Sequence, residues 1–434
     1  MGPAKILESI KEAVRPYYLK WLYFPITGGG RPSYFRECWK YPDAAPGRPA
    51  GDEADLLFFP MTDWHTRIQR TQHLARTLAG LGHRCFYVNP HLGRQFHQPY
   101  PFSRKRRAKQ LEPGVVEAHI HLPREPVFHH RALSGSETGQ LVREIEALLD
   151  AHRSRRLLQI ASLPLWLDAA KRLRERRGAA LVYDCHDVLH GFRVIAPELI
   201  EAEDEMFRAS DLVVFSSRHL LESNVARLPW LAEKSVLVRN AVDESWLRDP
   251  EAALPPASGQ VVVGYVGALD FWFDTEAIEL AARRHPEWRF ELVGRVEHEP
   301  IRRLERYPNV SFRGEIPHEH LHRHLARYRV ALIPFLRTEL TLGTNPIKLY
   351  EYFSHGLPVV STRLPEMEDY SPLVYLADSA GHMVEQMARA AAEDDAVPRQ
   401  QRIRTAHRET WPVRAEALRE AFARLAPAPL AGPL

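Results

Sequence analysis

The stretch GTNPIKLYEYFSHGLPVVST, residues 343–362, reads from left to right as a helix start, three helical turns, a stop and a strand. Pro346 suits a first helical position, where no backbone N–H is needed, and Asn345 before it is a favoured N-cap. Ile347, Leu349, Tyr350 and Phe353 give the helix an apolar side. Gly356 suits the left-handed residue past a helix end, and LPVVS then reads as a short buried strand. Lys348 and Glu351 stand three apart, so they project from one face near the helix N-terminus.

A helix N-terminus offers unsatisfied N–H groups and a partial positive charge, which together attract phosphate. Lys348 adds a full charge at the same end. A carboxylate one turn further in suits a ligand with hydroxyls beside its phosphates, because Glu351 can accept hydrogen bonds from both hydroxyls of a ribose. Phosphate plus ribose is a nucleotide. The same two residues also read as an exposed Lys–Glu pair on an ordinary amphipathic helix, worth a few tenths of a kcal/mol. Helix chemistry alone leaves both readings open.

Pro346, Lys348, Glu351, Tyr352, Gly356, Pro358, Val359, Val360 and Ser361, at this spacing, resemble the donor-site segment of GT-B glycosyltransferases, in particular the family-4-like group (glycosyl transferases group 1). The resemblance implies an α/β GT-B fold: two Rossmann-like, doubly wound parallel-sheet domains facing a central cleft. It implies donor contacts from Gly267, Arg295, Thr344, Asn345, Lys348 and Glu351. It also implies transfer without a metal and with no further cofactor, the donor substrate being a nucleotide-diphosphate sugar, with uridine the base expected from family frequency. Many retaining relatives carry a second Glu eight residues before Glu351. Gly343 stands there instead, so the contact assigned to that Glu must come from elsewhere, with the backbone of 343–345 the candidate. Retention at the anomeric carbon is the family expectation.

Other segments carry the same resemblance. YDCHD ends a strand and is similar to a "Y-D-x-x-D" or "H-D" segment whose His contacts the donor sugar, which makes His186 and Asp187 catalytic candidates beside Lys348. Asp187 equally suits a cap on the next turn. Residues 64–73 are similar to a first-loop segment "W-x-x-x-x-x-R-P-Q-H", with Thr71 in place of Pro and without the glycine pair of many relatives. Asp63, His65, Arg67 and Arg70 there are candidates for the acceptor site; each alone also reads as a helix cap or a solvated basic face. VRNAVDESW resembles an "N-G-V-D" that closes the first domain. The alternation of apolar runs and helical stretches from Asp55 onward reads as a mostly parallel, doubly wound sheet. Residues 53–243 form the expected acceptor domain, 259–400 the donor domain, and a helix over 408–425 crosses back to the first. Gly267 ends a strand where lack of a side chain lets a diphosphate approach, and Asp274 suits the N-cap of the following helix. Glu203, Asp204 and Glu205 read as a solvated helix face.

Residues 1–52 differ from the rest. A segment mixing Lys and Arg with Tyr, Trp and Phe precedes Pro- and Gly-rich stretches. It reads either as an interfacial anchor on an anionic membrane surface or as an arm packed on its own protein. SRKRRAK, residues 103–109, reads as a loop, solvated or touching anionic lipid or a polyanionic glycan. No recognisable binding motif accompanies it, so nucleic acid is not an expected partner.

A chain of 434 residues is long enough for two domains. Its 58 basic and 55 acidic residues leave a net charge of +3, which offers no global argument for nucleic acid. Three cysteines, far apart, show neither a metal spacing nor a disulfide framework, and fit a reducing compartment. No apolar run approaches the ~20 residues of a spanning helix. The expected place is the cytoplasm, either free or peripheral on the inner face of the cell membrane, and the expected acceptor is a carbohydrate or lipid-linked glycan. The alternatives are a sugar-nucleotide epimerase on the same fold, which needs carboxylates around the sugar ring, and a non-catalytic partner subunit, which Lys348 and Glu351 disfavour.

No reading engages a thiol. Cys185→Ser is expected to keep the nucleotide affinity measured by calorimetry, and a loss of about tenfold (1.4 kcal/mol) would place that thiol in the site.

Overall fold

The structure is a computed structural model, and it describes residues 42, 44–45, 53–65, 67–90, 107–120, 122, 130–192, 194–251, 259–393 and 395–425. The N-terminal arm apart from 42, 44 and 45, residues 103–106 of the basic run, and residues 252–258 of the linker lie outside the described residues. The chain divides into two compact units. Residues 1–181, 194–209 and 427–434 belong to the first, and 182–193 and 210–426 to the second.

Among the described residues, eight strands precede residue 240: β1 (Asp55–Phe59), β2 (Cys85–Val88), β3 (Arg107–Glu112), β4 (Val115–His119), β5 (Leu157–Ala161), β6 (Ala180–Cys185), β7 (Leu212–Phe215) and β8 (Ser235–Leu237). Their order is β3-β4-β2-β1-β5-β6-β7-β8. The pairs β1–β2, β1–β5, β2–β4, β6–β7 and β7–β8 run parallel. Every residue of β1, β2, β4 and β5 is buried, as befits parallel strands covered on both faces. Helices α1 (Arg70–Gly80), α2 (Gly135–Ala151), α3 (Leu167–Arg177) and α4 (Arg218–Arg227) lie between strands of this series.

The exception is β3, which runs antiparallel to β4. Arg107 to Lys109 open this strand, so the expected loop over 103–109 is corrected at its end. The cause is the Pro113–Gly114 turn: Gly114 takes φ +77°, which favours glycine and folds β3 back on β4. Lys109 is 8% exposed and is drawn into the hairpin rather than held out to a surface.

The second unit contains a separate six-stranded sheet: β9 (Val262–Val266), β10 (Arg289–Val293), β11 (Val310–Gly314), β12 (Val330–Ile333), β13 (Val359–Thr362) and β14 (Val374–Ala377). The order is β11-β10-β9-β12-β13-β14, and all five neighbouring pairs are parallel. Counted within the sheet this is 3-2-1-4-5-6, the doubly wound order, whose switch point lies between β9 and β12. Helices α5 (Thr275–Arg284), α6 (His318–Leu325), α7 (Ile347–Ser354), α8 (Ala380–Ala391), α9 (Ala396–Arg408) and α10 (Trp411–Ala423) complete it. Asp274 caps α5, its carboxylate accepting the Ala277 N–H at 2.9 Å. Helix α10 counts with the second unit, and its start is tied to the chain leaving β8: the Val242 N–H donates to Glu409 O and the Trp411 N–H to Val242 O.

The core of this sheet depends on one missing side chain. A Cβ added to Gly264 in β9 would lie 2.1 Å from the Tyr328 ring, which is buried and donates its hydroxyl to Glu291. Gly264→Ala should therefore destabilise by about 1–3 kcal/mol through overpacking, read as a lower denaturant midpoint. Adding Tyr328→Leu should recover part of the loss, and an unchanged midpoint for the single variant would contradict the packing.

Candidate functional site

Helix α7 begins at Ile347, and Pro346 itself is its N-cap, with φ −72° and ψ 120°. Asn345 does not cap it, contrary to the sequence reading. Its side chain is engaged elsewhere: Oδ1 accepts the Asn240 N–H at 2.8 Å, and Nδ2 donates to Glu366 and to the Tyr350 hydroxyl. A buried amide with three good partners has little capacity left for a ligand. Gly356 takes φ +69° just past the helix, as expected. The Leu357 N–H returns to Tyr352 O, and β13 follows.

Lys348 projects from the first turn to the switch point. Its Nζ lies 5.3 Å from the Tyr265 ring centroid, at the end of β9, and 4.8 Å from that of Phe335, just past β12. These are cation–π distances. Gly267 allows the approach, since a Cβ there would lie 3.0 Å from Lys348 Cε. Gly267 has φ +145° and Gly294 φ +140°, and a Cβ on Gly294 would meet Gly267 O at 1.8 Å. Gly267 thus brings bare backbone beside the ammonium, and Gly294 lets the two strand ends pack closely. Lys348 makes no hydrogen bond or ion pair among the described residues. Burial pushes its pKa down to about 8, and the charge of Glu351 acts in the opposite direction.

Glu351 lies one turn on and is half-buried. Its Oε1 is 3.1 Å from His318 Nε2, a partner the sequence did not single out. The histidine ring stacks on Trp246 with centroids 4.5 Å apart.

The segment before α7 is held from the chain around β7 and β8. Ser217 Oγ donates to Gly343 O at 2.7 Å. A Cβ on Gly343 would lie 2.5 Å from Val188 Cγ2, so the packing leaves no room for the Glu that many relatives carry there. The N–H groups of Gly343 and Thr344 bond to Glu339 O and Thr341 O, which leaves that of Asn345 from the expected backbone cradle. Thr344 Oγ1 donates to Leu340 O. His186, after β6, donates from Nδ1 to Asp184 O at 3.0 Å and turns Nε2 toward Asp187, 3.7 Å away. Arg295 pairs with Glu297 and is 60% exposed at its side chain.

The acceptor candidates lie in the first unit, after β1. Asp63 accepts the His65 N–H at 2.7 Å and the Asn89 amide at 2.8 Å. Asn89 also donates to Glu117, and His65 Nε2 donates to the same carboxylate at 2.7 Å. His119 approaches it to 3.0 Å. Burial alone would raise the Glu117 pKa, but the charges and hydrogen bonds of His119 and His65 hold it well below the usual carboxylate range. Asp63 and Arg70 are buried, and Arg67 is half-buried. The solvated-face reading therefore does not describe Arg70. Asn89, Glu117 and His119 were missed because they come from other strand ends.

The Lys348 environment has a measurable consequence. Its pKa is about 8 in the folded protein against 10.5 in the open chain. Between those values the unfolded chain binds more protons, so stability attributable to this group rises with pH across that window. Each unit is worth about 1.4 kcal/mol, so the wild type should gain on the order of 2 kcal/mol over Lys348→Met between the two ends of the window, by chemical denaturation. A pH-independent difference would mean a solvated ammonium.

Residues 260–393 match the family model described as Glycosyl transferases group 1. A Bacillus subtilis (strain 168) protein named as a teichuronic acid biosynthesis glycosyltransferase, TuaH, is 24% identical over 225 residues. The match covers 48% of this chain and 57% of the relative, so the chain spans little more than half of that protein's length. Among solved structures, sucrose-phosphate synthase from Thermosynechococcus elongatus superposes with a TM-score of 0.65 at 15% identity, over 86% of this chain and 99% of the other. Alr3699/HepE of Anabaena, solved in complex with UDP and glucose, gives 0.57 at 17% identity, over 86% and 100%. At such identities these structures speak for the fold. With the strand order of the two sheets, they show that the chain has the GT-B fold, and residues 260–393 are similar to the glycosyl transferases group 1 family.

Proposed function

We propose that the protein is a glycosyltransferase. It moves a sugar from a nucleotide-diphosphate sugar to a carbohydrate or lipid-linked acceptor, in the assembly of cell-surface polysaccharide or a related glycoconjugate. The observation that carries this reading is the Lys348 ammonium, without an ionic partner among the described residues, at the switch point of a doubly wound sheet. A carboxylate stands one helical turn behind it. The TuaH relative, named for polysaccharide biosynthesis, and the Anabaena neighbour, solved with UDP and glucose, support the same class.

The barrier to glycosyl transfer is largely charge separation between an oxocarbenium-like sugar and a departing diphosphate. Lys348 meets the developing negative charge, and the bare backbone at Gly267 lets phosphate oxygens come close. Glu351 takes the ribose and thereby sets the diphosphate against the lysine. His186 and Asp187 face the transferred sugar, and uridine is the base we assign. Arg295 reaches the diphosphate or base once freed from Glu297. The chain's own residues supply the charge stabilisation, with the sugar retained in its anomeric configuration. The acceptor is held after β1, where Arg67 is the least buried of the described basic candidates. No helix among the described residues is long and apolar enough to cross a membrane. Contact with an anionic membrane, if the acceptor is lipid-linked, falls to the N-terminal arm and the basic run.

The test is calorimetric titration with UDP and with 2′,3′-dideoxy-UDP. Glu351→Gln keeps the shape but loses a charged acceptor worth about 1.5–3 kcal/mol, so UDP should bind about ten- to a hundredfold more weakly. The dideoxy compound should lose a similar amount on the wild type and little more on the variant, the non-additivity expected of a direct contact. Equal affinities in all four titrations would remove the reading.

A further inference from the structure

Glu351 is a flexible, half-buried side chain on α7, yet it is held. His318 is the first residue of α6 and follows Pro317, its N-cap. The imidazole lies on the indole of Trp246 at 4.5 Å and 29° between planes. Trp246 is itself 8% exposed and meets the His355 ring edge-on at 6.0 Å. The plane of His318 is therefore set by a buried indole, and its Nε2 is aimed at Glu351 Oε1, 3.1 Å away. An ionised carboxylate can only accept, so Nε2 carries the proton. Oε1 is the one carboxylate oxygen of Glu351 with a partner among the described residues.

We infer that His318 is a positioning residue for the donor site: it holds Glu351 by Oε1 so that Oε2 is presented to the vicinal hydroxyls of the donor ribose. The inference rests on the glycosyltransferase reading above and deepens it. A Glu side chain gives up rotamer freedom when it is ordered. A histidine already immobilised on an indole bears that cost before the nucleotide arrives. The contact with both ribose hydroxyls drawn from the sequence is thereby made specific: one oxygen serves the protein and one serves the ligand. Trp246 and His318 become parts of the donor site although neither touches phosphate.

The experiment compares wild type, His318→Phe, His318→Gln and Glu351→Ala, each titrated with UDP and 2′,3′-dideoxy-UDP, with thermal midpoints recorded alongside. Phenylalanine keeps the stack on Trp246 but has no N–H, and glutamine restores a donor. His318→Phe should weaken UDP by about three- to tenfold and leave the dideoxy compound unchanged, shrinking the ratio between them. His318→Gln should recover most of that ratio, which a purely structural role would not do. A wild-type ratio in His318→Phe, while Glu351→Ala abolishes the ratio, would overturn the inference and leave the donor reading standing. A wild type that does not distinguish the two nucleotides, with Glu351→Ala behaving the same, would overturn both.

Discussion

A carboxylate with no exposure to solvent sits at Glu366, and burying such a charge costs several kcal/mol unless its oxygens are paired. Here they are. The Arg218 N–H donates to Oε1 at 2.7 Å, while Arg239 Nε and the Asn345 amide donate to Oε2 at 2.8 Å each. Three segments far apart in the chain are thereby tied together: the start of α4, the exit from β8 and the residue before the Pro346 cap of α7. Asn345 passes the constraint on by accepting the Asn240 N–H. The direction in which α7 leaves Pro346, and so the place of Lys348 and Glu351, follows from satisfying that one buried charge.

Two effects compete at Lys348. Burial disfavours the ammonium, whereas the faces of Tyr265 and Phe335 and the carboxylate of Glu351 favour it. The balance falls near pKa 8, so the group is still mostly charged at neutral pH. A charge kept in a partly dehydrated place interacts more strongly with an arriving anion than one in bulk water. The two glycines at the strand ends have positive φ angles open to few other residues: Gly267 makes way for Lys348, and Gly294 makes way for the Gly267 backbone.

The first unit solves a similar problem differently. Glu117 is buried on a strand and sits between His65 and His119, with Asn89 on its other oxygen. The acceptor candidates after β1 are thus held by side chains from β4 and the end of β2. They are spatial neighbours because parallel strands bring their carboxyl ends to one edge. Nothing in the local sequence around Asp63 announces these partners.

Local spacing determined much on its own. The strand and helix alternation, the left-handed residue at Gly356, the cap at Asp274 and the projection of Lys348 and Glu351 from one helical face all follow from periods and side-chain chemistry within a few residues. Tertiary structure decided the rest, because each remaining point turns on a partner distant in sequence. Asn345 looks like a helix cap and is instead taken by Asn240 and Glu366. Gly343 looks like a lost donor contact, whereas Val188 fills the space a side chain would need. Arg107 to Lys109 look like loop and pair with β4 across Gly114. Glu351 looks free for two hydroxyls and shares one oxygen with His318. A hydrogen-bonding group takes whichever partner the fold brings within about 3 Å, and no window along the chain contains that information.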